Sequence, residues 1–241
     1  MLFLQRYIIP LKMKCCFLLF SLRILFFSCT NHSKNTFSSK YHIIGSTTLS
    51  NNKMAYLKSQ KNHTTKLLDS SIIKNGKFEF KGKIKNPEVY GIFIDTIKGS
   101  IPIFMENTTI TILVHGNDLK SSKITGSKTH TDYLLFLIES KKITSKINLL
   151  FPEFQKARVE NDISKLKIIH KKMQSITNEN TQFALNYSKK HPESYVSAFA
   201  LYSILSTPDI KKDRILDIYN HFSVYVKKGN YSKQIFNYLA S

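Results

Sequence analysis

Between residue 41 and about residue 128, short runs of β-branched and aromatic residues alternate with Gly, Asn and Ser. This rhythm predicts roughly seven or eight strands, and such spacing favours an antiparallel β-sandwich. The clearest predicted hairpin is SSIIK-NG-KFEFKG, with a strand on each side of Asn75-Gly76, a pair that tolerates positive φ at both central positions of the turn. Beyond the turn, Phe78 and Phe80 alternate with charged residues, which predicts one buried face and one solvated face.

Two aromatic residues of this half, Phe93 and Phe104, stand within strand-like runs. We expect them to fill the interior of the sandwich, and the alternative is a ligand-stacking role. Pro87 and Pro102 fall where strands begin or lie at an edge, because a missing N–H does least harm there.

After Gly126 the apolar period changes from two residues to about 3.6, which predicts helices. The pattern places a first helix before Pro152 and a long second helix that begins at this proline, a favoured residue at helix N-termini. Further boundaries are predicted at His191-Pro192, Thr207-Pro208-Asp209 and Gly229. The predicted fold class is α+β, with an N-terminal antiparallel β-sandwich at residues 41–128 and a C-terminal helical region at residues 129–241.

The N-terminal segment has the layout of a secretory signal. From Met13 it reads MKCCFLLFSLRILFFSCT, a charged start and an apolar run that ends before a cysteine. Initiation at Met13 is simpler than initiation at Met1. The end of the run resembles the lipobox of bacterial lipoproteins, which makes Cys29 the predicted lipidation site. Residues 1–28 are then the signal segment and residues 29–40 a flexible tether, although ordinary signal cleavage and an uncleaved anchor stay open as alternatives.

Cysteine usage limits the chemistry of the processed chain. The sequence holds three cysteines, of which Cys15 and Cys16 lie in the signal segment and Cys29 is the acylation candidate. A mature chain processed in this way has no free thiol for a disulfide, a nucleophile or a dithiol redox pair.

The formal charge of +20 suggests a polyanion partner or an anionic membrane. The basic residues, however, are nearly all lysines spread along the chain, and only four arginines occur. Because arginine suits bidentate recognition of phosphates and base edges, nucleic acid is a disfavoured partner.

Motifs that carry catalysis or bind cofactors are not found in the sequence. No two of the eight histidines stand at the spacing of a helical zinc site, and no glycine-rich phosphate loop or G-x-S-x-G elbow is present. Glu106 and Asp118 lie near strand ends, where they could form a carboxylate pair or serve as ordinary turn residues. The prediction is a chain with no cofactor, no metal and no catalytic residue.

Four segments resemble a known family in order along the chain: DSSIIKNGKFEFKGKIKNPEVY, IFMENTTITI, ITGSKTHTDY and HPESYVSAFAL. They are similar to the uncharacterised N-terminal β-domain and helical spacer of TlpA- and ResA-like thiol-disulfide lipoproteins. In that family the catalytic Cys-x-x-Cys pair belongs to a thioredoxin-like domain, which would follow Ser241 here. The resemblance therefore implies an architecture and an envelope location but carries over no catalytic residue.

The leading hypothesis is a non-enzymatic cell-envelope lipoprotein, held to membrane lipid through acylated Cys29 and facing the periplasm. Its β-sandwich would serve binding or assembly with an envelope protein partner. The first alternative is a truncated or split TlpA/ResA-like oxidoreductase, and the reading frame beyond Ser241 would distinguish it. The second alternative is a basic surface that binds polyanions, whose affinity would fall steeply with salt.

Overall fold

A computed structural model describes residues 39–49, 51–61, 64–208 and 210–241. Within these ranges the chain forms eight strands and then seven helices. The strands are β1 (Tyr41–Thr47), β2 (Met54–Lys61), β3 (Thr64–Ile72), β4 (Lys77–Gly82), β5 (Glu88–Ile94), β6 (Ile101–Met105), β7 (Thr109–His115) and β8 (Asp118–Thr125). The helices are α1 (Lys128–Thr144), α2 (Lys146–Val159), α3 (Ile163–Lys190), α4 (Tyr195–Ser203), α5 (Lys212–His221), α6 (Val224–Lys227) and α7 (Asn230–Ala240). The predicted α+β class is confirmed.

The strands form two four-stranded sheets packed face to face. Sheet 1 has the order β4-β1-β7-β8 and sheet 2 the order β3-β2-β5-β6. All neighbouring strands are antiparallel except β1 and β7, which run parallel from the His42–Thr109 pair onward. A parallel pair needs a long connection, and here the strands between β1 and β7, including all of sheet 2, supply it. The sandwich is therefore mostly antiparallel.

Alternation along each strand fills the space between the sheets. In β7, Ile110, Ile112 and Val114 are buried while the residues between them face solvent. Phe78 and Phe80 are buried in the same core, as the pattern predicted. Each such side chain contributes about 1.5–3 kcal/mol through the apolar surface that it removes from water.

The prediction that Phe93 and Phe104 fill the sandwich is wrong. Ile101, Ile103 and Met105 take the inward positions of β6, so Phe104 points out of sheet 2 and packs among the helices. Phe93 likewise faces outward from β5, where the Lys58 ammonium lies 4.9 Å from its ring centroid. Because strand side chains alternate strictly, the aliphatic neighbours decide the direction of both aromatics.

The Asn75-Gly76 turn has the predicted backbone conformation, with φ of 49° and 69°. The flanking strands do not pair along their length as a hairpin, however, since β3 pairs with β2 and β4 pairs with β1. Backbone pairing across the turn is limited to Lys74 and Lys77. The turn therefore carries the chain from one sheet of the sandwich to the other.

Two predicted helix boundaries differ from the structure. Pro152 lies inside α2 rather than at a helix start, and the break comes later, where Asn161 has a φ of 52° and the Asp162 side chain caps α3. The carbonyl that loses its helical partner belongs to Asn148. Asn148 and Pro152 are both exposed, so this carbonyl can bond water and the proline is tolerated. The Thr207 N–H donates to the Ile204 carbonyl in a turn, so Thr207 does not cap a helix. The next helix, α5, begins only at Lys212. The predicted boundary at His191-Pro192 is confirmed.

The helices form a second apolar core against the outer face of sheet 2. Phe104 joins this core at its centre, and its ring lies 5.4 Å from Tyr133 and 6.3 Å from Phe199 between centroids. Val89, opposite Phe104 on β5, packs against the same cluster. Strands and helices thus belong to one compact unit. In the part of the chain described, no helix is both long enough and apolar enough to cross a membrane.

Candidate functional site

A cleft of about 440 Å³ opens where the helices meet sheet 2. We name it the junction cleft. Its walls come from β5 and β6 on one side and from α4 and α7 on the other, and the residues that give it its apolar character are Val89, Gly91, Pro102, Phe199, Tyr202 and Tyr231. A volume of this size falls within the range of sites that hold small ligands or side chains.

A second hollow of about 330 Å³ adjoins the junction cleft. Four lysines line it: Lys66 on β3, Lys83 and Lys85 after β4, and Lys233 on α7. We name it the lysine hollow. The two spaces share Glu88, Tyr90, Asn230 and Lys233 as lining residues, so together they form one bipartite groove with a basic arm and an apolar arm.

The shared floor is a set of hydrogen bonds, two of which join residues 142 positions apart in the sequence. The Tyr90 hydroxyl donates to Glu88 Oε1 over 2.8 Å, and the Asn230 side-chain amide donates to Glu88 Oε2. Asn86 reinforces the joint, since its Nδ2 donates to the Lys228 carbonyl over 3.2 Å. The start of β5 is thereby tied to the start of α7, which fixes the width of the groove.

Burial shapes the chemistry of Tyr90 at this floor and of Tyr231, which lines the junction cleft. Desolvation raises the pKa of Tyr90, and its hydrogen bond to Glu88 raises that pKa further. Burial also raises the pKa of Tyr231. Both hydroxyls therefore stay protonated at neutral pH and act as hydrogen-bond partners rather than as bases. This arrangement suits recognition of a ligand more than proton transfer.

A second polar cluster surrounds the N-terminus of α1. Glu106 Oε1 accepts from the Ser127 hydroxyl over 2.6 Å, and Glu106 Oε2 accepts from the Thr129 hydroxyl over 2.6 Å. Ser127 in turn caps the helix by accepting from the His130 N–H over 3.0 Å. A carboxylate and a serine at a helix N-terminus stabilise it by satisfying N–H groups that have no helical partner. The cluster thus joins the end of β6 to α1.

His130 completes this junction in a buried position. Its Nδ1 accepts from the Phe104 backbone N–H over 3.2 Å, whereas its Nε2 has no hydrogen-bond partner in the described residues. Burial lowers the pKa of His130 to about 4. The imidazole is therefore neutral at physiological pH, which is the form that can accept from Phe104.

The structure tests some of the sequence-predicted candidates. Glu106 is held by Ser127 and Thr129, while Asp118 accepts from the Lys120 N–H in the turn that opens β8. The described hydrogen bonds do not join these two carboxylates. Among the described residues, no group of three His, Cys, Asp or Glu side chains could hold a metal ion. Cys29 lies outside the described residues, so its lipidation stays a prediction.

The groove itself is absent from the sequence-based expectations. Glu88 and Asn230 are 142 residues apart in the chain. Neither periodicity nor a local motif connects positions at such a distance, and the lysines that line the hollow look like the many other lysines of the chain. Only the packing of α7 on sheet 2 brings them together.

The fold and the groove define a two-sheet β-sandwich with a helical region packed on one sheet. Residues 41–133 match a known family, described as Domain of unknown function (DUF4369). A DUF4369 domain therefore spans all the strands described above and the start of α1. It supplies the sheet wall of the groove, and the helix wall lies beyond it. Among curated proteins none matches this sequence.

Proposed function

We propose that this chain is a cell-envelope lipoprotein whose β-sandwich and helices form a non-catalytic binding module for a polypeptide partner. The observation that carries the binding part is the junction cleft, an apolar space that opens beside hydrogen-bonding groups held in place from both walls. Such a space suits a partner's apolar side chain, because sites of this kind combine mostly apolar walls with a few fixed polar groups.

The polar groups of the floor support binding over catalysis. Glu88 accepts from both Tyr90 and Asn230, so its oxygens are engaged in holding the groove together. General acid or base catalysis needs a group whose pKa lies near the working pH, and burial moves the pKa of Tyr90 and Tyr231 upward, away from that range.

The envelope location rests on the sequence from Met13 to Cys29. The similarity of four segments to TlpA- and ResA-like lipoproteins supports the same location. It carries no catalytic residue over to this chain, and residues 30–241 contain no cysteine. The role that we propose for residues 29–241 is attachment and recognition.

Replacement of Cys29 tests the anchor. We expect wild-type protein, expressed in a bacterial host with its own N-terminal segment, to incorporate labelled palmitate, and the Cys29→Ser variant to incorporate none, because the lipid is attached through the cysteine sulfur. Cys16→Ser, in the apolar run of the signal, is the matched control and should label like wild type. Equal labelling of wild type and Cys29→Ser would contradict the lipoprotein part of the proposal.

Filling the junction cleft tests the binding part. Gln234 on α7 lines the cleft, whereas Asn237 on the same helix is exposed and lies outside it. The probes are fluorescein-labelled synthetic peptides with one Phe, Tyr or Leu in neutral, acidic or basic surroundings, and fluorescence anisotropy with the full-length chain measures their binding. We expect at least one peptide to bind wild type and Asn237→Trp equally but to bind Gln234→Trp about tenfold more weakly, the loss of roughly one well-buried contact.

The result that would overturn the binding proposal is equally specific. If no peptide of the panel binds, or if Gln234→Trp binds each peptide as wild type does, the junction cleft is not a binding site. Thermal unfolding of both tryptophan variants shows whether either substitution disturbs the fold.

A further inference from the structure

The lysine hollow collects positive charge from three separate parts of the fold. Lys66, Lys83, Lys85 and Lys233 all have exposed side chains, and none of them forms an ion pair with another described residue. One carboxylate, Glu88, lies at the floor of the same space. Four ammonium groups around one carboxylate leave an excess of positive charge, and a partly enclosed hollow concentrates the resulting potential.

The hollow adjoins the junction cleft. Both spaces are lined by Glu88, Tyr90, Asn230 and Lys233, so one ligand of sufficient length can contact both. A ligand that fits both arms carries negative groups at one end and an apolar group at the other. An acidic peptide segment has this composition.

We propose that the lysine hollow binds Asp or Glu side chains of the polypeptide partner whose apolar residue enters the junction cleft. This inference rests on the proposed function. The ligand class is an acidic peptide with an apolar side chain close to its carboxylates. Lysine ammonium groups are compact charges on flexible stems, which suits separate carboxylates at variable spacing.

One observation favours a peptide over a nucleic acid. The rings of the apolar arm are packed against each other, with Phe199 and Tyr231 at 5.4 Å and 77° and Tyr202 and Tyr231 at 5.4 Å between centroids. Non-specific binding of single strands instead relies on aromatic faces that are free to stack on bases.

The test compares two double variants that remove the same charge. Lys83→Gln/Lys85→Gln removes two lysines of the hollow, and Lys120→Gln/Lys123→Gln removes two exposed lysines of β8, outside the groove. The probes are a fluorescein-labelled peptide with several Glu residues and one Phe, its Gln counterpart, and a labelled oligothymidylate. Anisotropy is measured with the full-length chain at low and physiological salt.

We expect the Glu peptide to bind wild type more tightly than the Gln peptide. At low salt, Lys83→Gln/Lys85→Gln should weaken the Glu peptide about tenfold and leave the Gln peptide unchanged, while the β8 pair has little effect. Equal weakening by both double variants would overturn the proposal, because it would reflect overall charge. Oligothymidylate that binds as tightly as the Glu peptide, with the same dependence on Lys83 and Lys85, would also overturn it in favour of a polyanion site.

The same measurements separate this inference from the proposed function. If Gln234→Trp blocks a peptide but the lysine substitutions change nothing, the junction cleft binds a partner and the acidic preference is wrong. If Gln234→Trp also has no effect, the proposed function itself fails.

Discussion

Phe104→Ala is expected to lower the free energy of unfolding by about 3–5 kcal/mol, the largest single effect that we predict. Phe104 is fully buried although it lies on the outer face of its sheet, and its ring contacts Tyr133, Phe199 and Tyr231. Truncation removes apolar contacts and leaves a cavity at the joint between sandwich and helices, where rigid elements on both sides limit collapse.

Urea unfolding of the full-length chain, followed by circular dichroism, measures this loss. The matched control is Phe236→Ala, since Phe236 is 57% exposed on α7 and its ring centroid lies 6.3 Å from that of Tyr219. We expect the control to cost less than about 1 kcal/mol. A similar cost for the two phenylalanines would show that Phe104 does not hold the helices on sheet 2.

Acidification is expected to destabilise the protein through His130. Burial lowers the pKa of His130 to about 4 from its ordinary value of 6.5. Between pH 6.5 and pH 4, His130 is protonated in the unfolded chain but not in the folded chain. The free energy of unfolding therefore falls as the pH falls. Above pH 6.5 the histidine is neutral in both states and contributes no pH dependence. Each pH unit between 6.5 and 4 lowers the free energy of unfolding by about 1.4 kcal/mol, and the total loss by pH 4 is roughly 3 kcal/mol.

His130→Gln isolates this effect, because glutamine offers an oxygen to the Phe104 N–H but does not titrate. We expect urea unfolding between pH 7 and pH 4 to show a shallower loss of stability in His130→Gln than in wild type. The control is His115→Gln, at an exposed end of β7, which should keep the wild-type slope. A His130→Gln variant that loses stability as steeply as wild type would contradict the assignment.

The sequence predicts the elements of this fold better than their partners. Alternation at Phe78 and Phe80 and the tight turn at Asn75-Gly76 are local signals, and both are confirmed in the structure. The same turn shows the limit, since its residues specify a tight reversal but not whether the two strands stay in one sheet. Phe104 shows the same limit. An aromatic residue in a strand indicates a buried side chain, but it does not indicate which face of the sheet is covered. That face is covered only by helices which come later in the chain.

The candidate site was harder to predict because it arises only from tertiary packing. The predicted signal segment and the predicted lipidation site at Cys29 rest on one contiguous pattern, which the sequence alone can suggest. Glu88 and Asn230 belong to unrelated segments, and their hydrogen bond depends on how α7 lies against β5. The lysine hollow could not be predicted either. The chain is rich in lysine, and Lys83 and Lys85 differ from the other lysines only in their surroundings in the folded protein.

The parallel pairing of β1 and β7 has a consequence for how the chain folds. β1 lies inside sheet 1, between β4 and β7. Its partner β7 begins only at Thr109, and every strand of sheet 2 lies between β1 and β7 in the sequence. Contacts of such long sequence separation close large loops and slow folding. As the chain leaves the ribosome or the translocation channel, β1 must keep an unpaired edge until β7 arrives. β1, which directly follows the predicted tether, is therefore the strand whose second partner is synthesised latest after it. Its exposed edge is the position most open to wrong pairing.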